Sequence, residues 1–140
     1  MVFIIHRNLC DRLETGDVIR VGGKRFTIEV ADTFISRFLG LMGRRRLPPH
    51  RALLITRCSS IHTFFMRFRM TAVFLSGSLC VTKVVPDIPP WRIALALNTK
   101  PRTYSVLEIA SDESLEISEG EIVMVVERKA ETQLPEVVSG

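Results

Sequence analysis

The sequence predicts an α+β fold that is mainly β, a small closed or half-closed β-barrel-like domain with one clear helix over about residues 32–42. Three observations carry this. Seven or more short runs rich in β-branched and aromatic residues recur along the chain, punctuated by glycine, proline and serine. One segment has apolar residues at helical spacing. So many strands in so short a chain leave edges that closing or half-closing a barrel would remove.

The first element is "VIRVGGKRFTIEV", residues 18–30, in which Gly22-Gly23 suits a two-residue turn at positive φ between two strands. In the second arm Phe26, Ile28 and Val30 alternate with Thr27 and Glu29, the period of a strand with one buried face. The helix follows in "ADTFISRFLGLMG". Asp32 or Thr33 can cap it, Phe34, Ile35, Phe38, Leu41 and Met42 form its apolar stripe, and Gly43 supplies a left-handed stop. Gly40, inside that span, implies close packing against a neighbouring backbone. "RRRLPPHR" (44–51) reads as an exposed connector. Strands are then expected at 52–56, 71–75, 79–85, 103–109 and 121–126, with a turn at "SGS" (76–78). Pro86, Pro89 and Pro90 forbid a central strand across "PDIPPWR", which leaves Trp91 and Arg92 on a loop or its edge.

A chain of 140 residues, 46% hydrophobic and 24% charged, supports one domain, expected over residues 1–129 with a disordered tail at 130–140. The opening "MVFIIHRNLC" has four apolar residues before His6 and Arg7, too few for a signal peptide, and no run is long enough to span a bilayer. A cytoplasmic protein is expected, with no membrane association. The three cysteines, Cys10, Cys58 and Cys80, have no CxxC spacing and suit buried thiols in a reducing compartment.

Charge is unevenly spread. Residues 1–32 carry five acids and five bases, 33–102 one acid (Asp87) and twelve bases, and 103–140 nine acids and two bases. Such a one-sided middle segment needs compensation, either from the acidic C-terminal third or from a bound anion.

"CSSIHTFFMRFRM", residues 58–70, concentrates chemistry within that segment. Taken as a strand, "IHTFFMRF" places His62, Phe64, Met66 and Phe68 on one face and Thr63, Phe65, Arg67 and Arg69 on the other. His62 either ends an apolar row as a core residue or, with Thr63 and Arg67, rims a pocket. An arginine fork beside a hydroxyl and a histidine suits a carboxylate or phosphate. Zinc at Cys58, His62 and His50 is disfavoured because residues four apart on a strand are roughly 13 Å apart. A nucleophile, Cys58, Ser59 or Ser60, could pair with His62, but no orienting carboxylate is close in sequence; Asp87 or Glu108 would have to approach in the fold. "GRRRLPPHR" with Arg57, Arg67 and Arg69 could follow phosphates of a nucleic acid, with Phe65 or Trp91 as stacking platform, yet no RNP or GXXG motif accompanies it.

In order and spacing, "FTIEVADTFISRFLGLMGRRRLPPHRALLI", "CSSIHTFFMRFRMTAVFL", "PPWR" and "VLEIA" resemble the family called domain of unknown function 192, over about residues 25–126. The resemblance implies a small β-rich fold and carries no known activity. Gly40-Leu41-Met42 matches the family's Gly-Leu-Met, and Ile61 to Phe68 matches its Ile-His-Thr-Phe-Gly-Met-Arg-Phe except at Phe65, where glycine is usual. A phenylalanine there would close or reshape a pocket. Thr71 stands where the family tends to have aspartate, "SGSL" where it has an acidic turn, and the family glycine near Asp112 is absent. Loss of that aspartate removes the obvious partner of His62 or Arg67 and weakens catalysis in this chain.

The expectation is therefore a binding or interaction module, not an enzyme, with no cofactor and no metal. Its ligand surface combines His62, Thr63, Arg67, Trp91 and Arg92 and accepts an anionic small molecule or an acidic protein surface. The alternatives are a hydrolase-like enzyme using Cys58 or Ser59/Ser60 with His62, and nucleic-acid binding through Arg44–Arg46.

Overall fold

The structure, a computed structural model, describes residues 8–111 and 115–129; the expected tail at 130–140 and the Asp112 position lie outside these. After a 3-10 turn at Leu9–Arg12 come β1 (Val18–Val21) and β2 (Lys24–Ala31), joined as expected through Gly22 and Gly23 at φ 61° and 77°. Both torsions are left-handed, so the turn twists the way the hairpin does.

The helix α1 is Phe34–Leu39, shorter than predicted. Thr33 caps it, accepting from the Ser36 amide at 3.0 Å while the Ser36 hydroxyl accepts from the Thr33 amide at 3.0 Å. It ends at Gly40, not at Gly43, because Gly40 adopts φ 48°, ψ −125°, a conformation reserved for glycine. The side chains of Phe34 and Phe38 lie outside the described residues.

The remaining strands are β3 (Arg51–Thr56), β4 (Ser60–His62), β5 (Met70–Ser76), β6 (Val81–Ile88), β7 (Ile93–Leu95), β8 (Thr103–Ala110) and β9 (Met124–Glu127). Seven of them form one mixed sheet in the order β6-β5-β8-β3-β2-β1-β9, and β4 pairs with β7 apart from it. Only β2 and β3 run parallel, and α1 with the 40–50 connector supplies the crossover that a parallel pair needs. Pro86 fits within β6 because that strand is outermost.

The fold is mainly β, as expected, but among the described residues no closed barrel is seen. The sheet has two outer strands, and the residues just before β9 meet the start of β6 only through a bridge between Cys80 and Ile122 and neighbouring bonds such as Val81 N–H to Glu121 O, 2.8 Å. Those bonds take residues 121–123 out of the predicted strand, which starts at Met124.

Both faces of the sheet are covered. Phe26, Ile28, Leu54, Val73, Leu107 and Ile109 pack on one side with Cys10, Leu13 and Leu79; Leu53, Ile55, Ala72, Phe74 and Val106 pack on the other with Leu41, Leu47, Ile61 and Met66. Central strands wrapped on two sides read as continuous apolar runs, as "ALLI" and "AVFL" do. Among the described residues, no helix is long and apolar enough to cross a membrane.

Candidate functional site

The stretch 58–70 does not form one strand. It leaves extended structure after His62 and turns at Phe65, whose φ is 63°, so the expected two-faced row of side chains is broken. A left-handed backbone is one that glycine adopts freely and phenylalanine only at a cost. Phe65 does not fill a pocket either; it is 58% exposed and meets Trp91 edge-on at 4.7 Å.

Four of the five expected ligand residues come together around this turn. Thr63 is fully buried, and its Oγ1 donates to Pro89 O at 2.7 Å and accepts from the Arg92 amide at 2.8 Å. Its own amide donates to Arg92 O, and its carbonyl accepts from the Trp91 amide. With its hydrogen-bonding capacity engaged in this way, Thr63 clamps the 89–92 loop. His62 pairs with Ile93 across β4 and β7, and its Nδ1 accepts from the Phe64 amide at 3.2 Å. Its ring lies 5.0 Å from Phe64, which stacks on Trp91 at 5.7 Å. Trp91, 56% exposed at φ 68°, and Arg92 stand at the surface. Arg67 is exposed on the following loop. His62, Phe64, Phe65 and Trp91 make an aromatic knob with Arg92 at its edge, and none of the five expected residues lines either of the two clefts described next.

The start of the stretch lines a cleft of about 540 Å³ with Asn8, Arg57, Cys58, Ser59, Gly77, Arg102, Thr103 and Tyr104. Antiparallel pairing makes it: Thr56 lies opposite Ser105, so the residues leaving β3 and those entering β8 share one end of the sheet. The Cys58 amide donates to Tyr104 O at 2.8 Å and ties the two walls. Arg57, at φ 55°, donates to Asp32 O at 3.0 Å, and the Tyr104 hydroxyl donates to Asp11 at 2.6 Å. Among the described residues, two guanidinium groups and no carboxylate line the cleft, though Asp11 lies behind Tyr104. Cys58 is not poised as a nucleophile: burial pushes its pKa up, its thiol donates to Ser60 O at 2.7 Å, and no hydrogen bond joins it to His62. A thiol held protonated is a poor attacking group.

The end of the stretch lines a second cleft, about 460 Å³, with Arg46, Leu47, Pro49, Phe68, Arg69, Asp87, Ala110 and Ser111. Two residues before Ala110, Glu108 is 2% exposed on the sheet face that carries Val106. Its Oε1 has no hydrogen-bond partner, and burial pushes its pKa up to about 8, opposed by Arg44. Arg44 itself is engaged, forked onto Glu29 at 3.0 and 2.8 Å, which lowers the Glu29 pKa. That removes one cation from the Arg44–Arg46 run considered for nucleic acid. Arg69 pairs with Asp87 at 2.7 Å. Among the described residues, no ion pair joins an arginine of the 33–102 segment to a carboxylate of the C-terminal third, so that expected compensation is absent there. No group of three metal-ligating side chains gathers among them either.

The family model of DUF192, "Uncharacterized ACR", matches residues 17–125. The chain belongs to this family. Two curated relatives share its pattern. UPF0127 protein PH1112 of Pyrococcus horikoshii is 36% identical over 87 residues, 58% of this chain and 70% of that one. UPF0127 protein PF1050 of Pyrococcus furiosus is 37% identical over 92 residues, 60% of this chain and 74% of that one. A Novosphingobium aromaticivorans crystal structure, of a protein of unknown function, has the same fold at a TM-score of 0.67, with 21% identity, covering 76% of this chain and 82% of that one.

Residue-by-residue reading noticed Arg57 only as one of several phosphate-tracking arginines and missed Arg102. Each abuts a strand, and only the β3–β8 pairing makes them neighbours. Glu108 carried a signal, a lone carboxylate inside the apolar run "SVLEIA".

Proposed function

We propose that this member of the DUF192 family is a binding module that holds an anionic group in the Arg57–Arg102 cleft. The observation that carries this reading is the lining: two guanidinium groups, the Ser59 hydroxyl and the Asn8 amide line a hollow of about 540 Å³ with no carboxylate among its described lining residues, while the Tyr104 hydroxyl is taken by Asp11 and the Thr103 hydroxyl by Thr82 and Thr99. Planar guanidinium forks bind carboxylate and phosphate oxygens in pairs, and hydroxyl donors complete such a shell. The cleft has the size of small-molecule sites. No ion pair among the described residues occupies Arg102, and the acid nearest the lining, Asp11, is engaged by the Tyr104 hydroxyl.

The test is calorimetric titration with inorganic phosphate and with citrate at low salt, on wild type and Arg102→Ala. Binding that weakens by about tenfold in the variant, equivalent to about 1.4 kcal/mol, is expected. Equal binding, or none to wild type, overturns the reading.

A second reading places an acidic protein surface on His62, Arg67, Trp91 and Arg92, with the buried Thr63 of the expected set holding the 89–92 loop beneath them. It is favoured by the exposure of Trp91 and Phe65 at left-handed backbone positions. Aromatic residues and arginine are the side chains enriched in interface centres. Quenching or shift of Trp91 fluorescence by an acidic peptide, lost in the Arg67→Ala/Arg92→Ala double variant, would support it; an unchanged spectrum would remove it.

A further inference from the structure

We infer that the cleft at the other end of β8 is a second, separate binding site, for a small molecule with an apolar body and a single carboxylate. Thr103 and Ser59 line the anion cleft, whereas Ala110 and Ser111 line this one, so the length of a strand separates them. Three stretches distant in sequence converge here: the basic connector supplies Arg46, Leu47 and Pro49, the end of 58–70 supplies Phe68 and Arg69, and β8 supplies Ala110.

Chemistry sets the ligand class. Leu47, Pro49, Phe68 and Ala110 make an apolar wall, and a hollow of about 460 Å³ beside the core favours burial of hydrocarbon. The cations are unequal. Arg69 is occupied by Asp87, through Nε to Oδ1 at 2.7 Å and NH2 to the Asp87 carbonyl at 3.2 Å. Arg46 has no partner among the described residues. One free guanidinium and one neutralised ion pair suit a monoanion better than a phosphate dianion, which would meet Asp87. Ser111 adds a hydroxyl, within 3.5 Å of the Thr71 hydroxyl.

The probe is octanoate, with octanamide as its uncharged isostere, followed by amide chemical shifts in two-dimensional NMR. Octanoate is expected to move the amides of Leu47, Ala110 and Ser111, and octanamide to bind about fivefold more weakly, the value of one half-exposed charge-assisted contact. Arg46→Ala should bring octanoate down to the octanamide level, and Arg102→Ala should leave it unchanged, which separates failure of this site from failure of the phosphate site. Equal binding of the two probes, shifts confined to the Trp91 knob or to the Arg57–Arg102 cleft, or no shifts at all would overturn the assignment.

Discussion

Replacing Glu108 with glutamine isolates the most unusual side chain in the fold. The carboxyl sits between Leu53 of β3 and Ala72 of β5, its Cβ-side neighbours in the ladder, and beneath Gly40, where a β-carbon would stand 3.9 Å from Oε1. The charged groups that bear on it are Arg44, already forked onto Glu29, and the Cys58 thiol, which is neutral. Burial raises its pKa from 4.5 to about 8. Below the unfolded value both states hold the proton and stability is full. Between the two values the unfolded chain has released a proton that the fold keeps, so stability falls as pH rises, by up to about 1.4 kcal/mol per pH unit. Above the folded value both states are ionised and the penalty stays constant. Urea unfolding of wild type and Glu108→Gln at pH 5, 6 and 7 checks this, because all other titrations cancel in the difference. At pH 5 the amide and the neutral acid should agree within about 1 kcal/mol. By pH 7 the variant should have gained about 2–3 kcal/mol on wild type. A difference that stays flat across this range would mean that the carboxylate is ionised and compensated in the fold, and the reasoning fails.

Other changes bear on the 58–70 stretch. Cys58 should react with iodoacetamide at neutral pH more slowly than a free cysteine, because burial holds its thiol protonated; labelling as fast as glutathione would revive a nucleophilic role. Thr63→Val leaves the Arg92 amide without its 2.8 Å acceptor and Pro89 O without its donor. A loss of about 2 kcal/mol is expected, with a red-shifted emission from Trp91, the only tryptophan; an unchanged spectrum would show that the loop is held by other means. Phe65→Gly relieves a left-handed φ but gives up the edge contact with Trp91. The two effects, each about 1 kcal/mol, oppose each other, so denaturation should show a change within about 1 kcal/mol of zero. A loss twice that size would mean that the ring does more than cover Trp91.

Legibility in the sequence followed locality. The Gly22-Gly23 hairpin, the Thr33 cap and the two-sided apolar strands were readable because each depends on residues a few positions apart. The helix end was misplaced by three residues, since the periodicity of Leu41 and Met42 continues past a glycine whose torsions end the helix. "IHTFFMRF" alternates well enough to be a strand, and the left-handed turn at Phe65 is invisible because the residue that would announce it, glycine, has been replaced. Clefts made by residues from different strand ends had no local signature at all. The uneven charge did not show where its compensation lies: Glu29, outside the basic block, and Asp87, its one acid, take two of its arginines.

Gly40 and Glu108 are better understood together than apart. A β-carbon at Gly40 would make only ordinary contacts, 3.9 Å to Glu108 Oε1 and to Ile55 Cδ1, so crowding does not require glycine here. The torsions do, and by ending the helix after Leu39 they allow Leu41 to turn into the core face that contains Glu108. An acid in the third central position of a sheet is thereby shut away from water by a turn, not by a partner. Burial without a partner normally costs several kcal/mol when ionised and far less when protonated, so the neutral carboxyl is the form compatible with this fold near neutral pH. Its unmet Oε1 then lies two residues along β8 from Ala110, whose side of the strand opens into the apolar cleft. Glu108, one of two buried groups with an unmet polar atom among the described residues, and the Ala110 wall of the proposed carboxylate site therefore lie on the same strand, two residues apart.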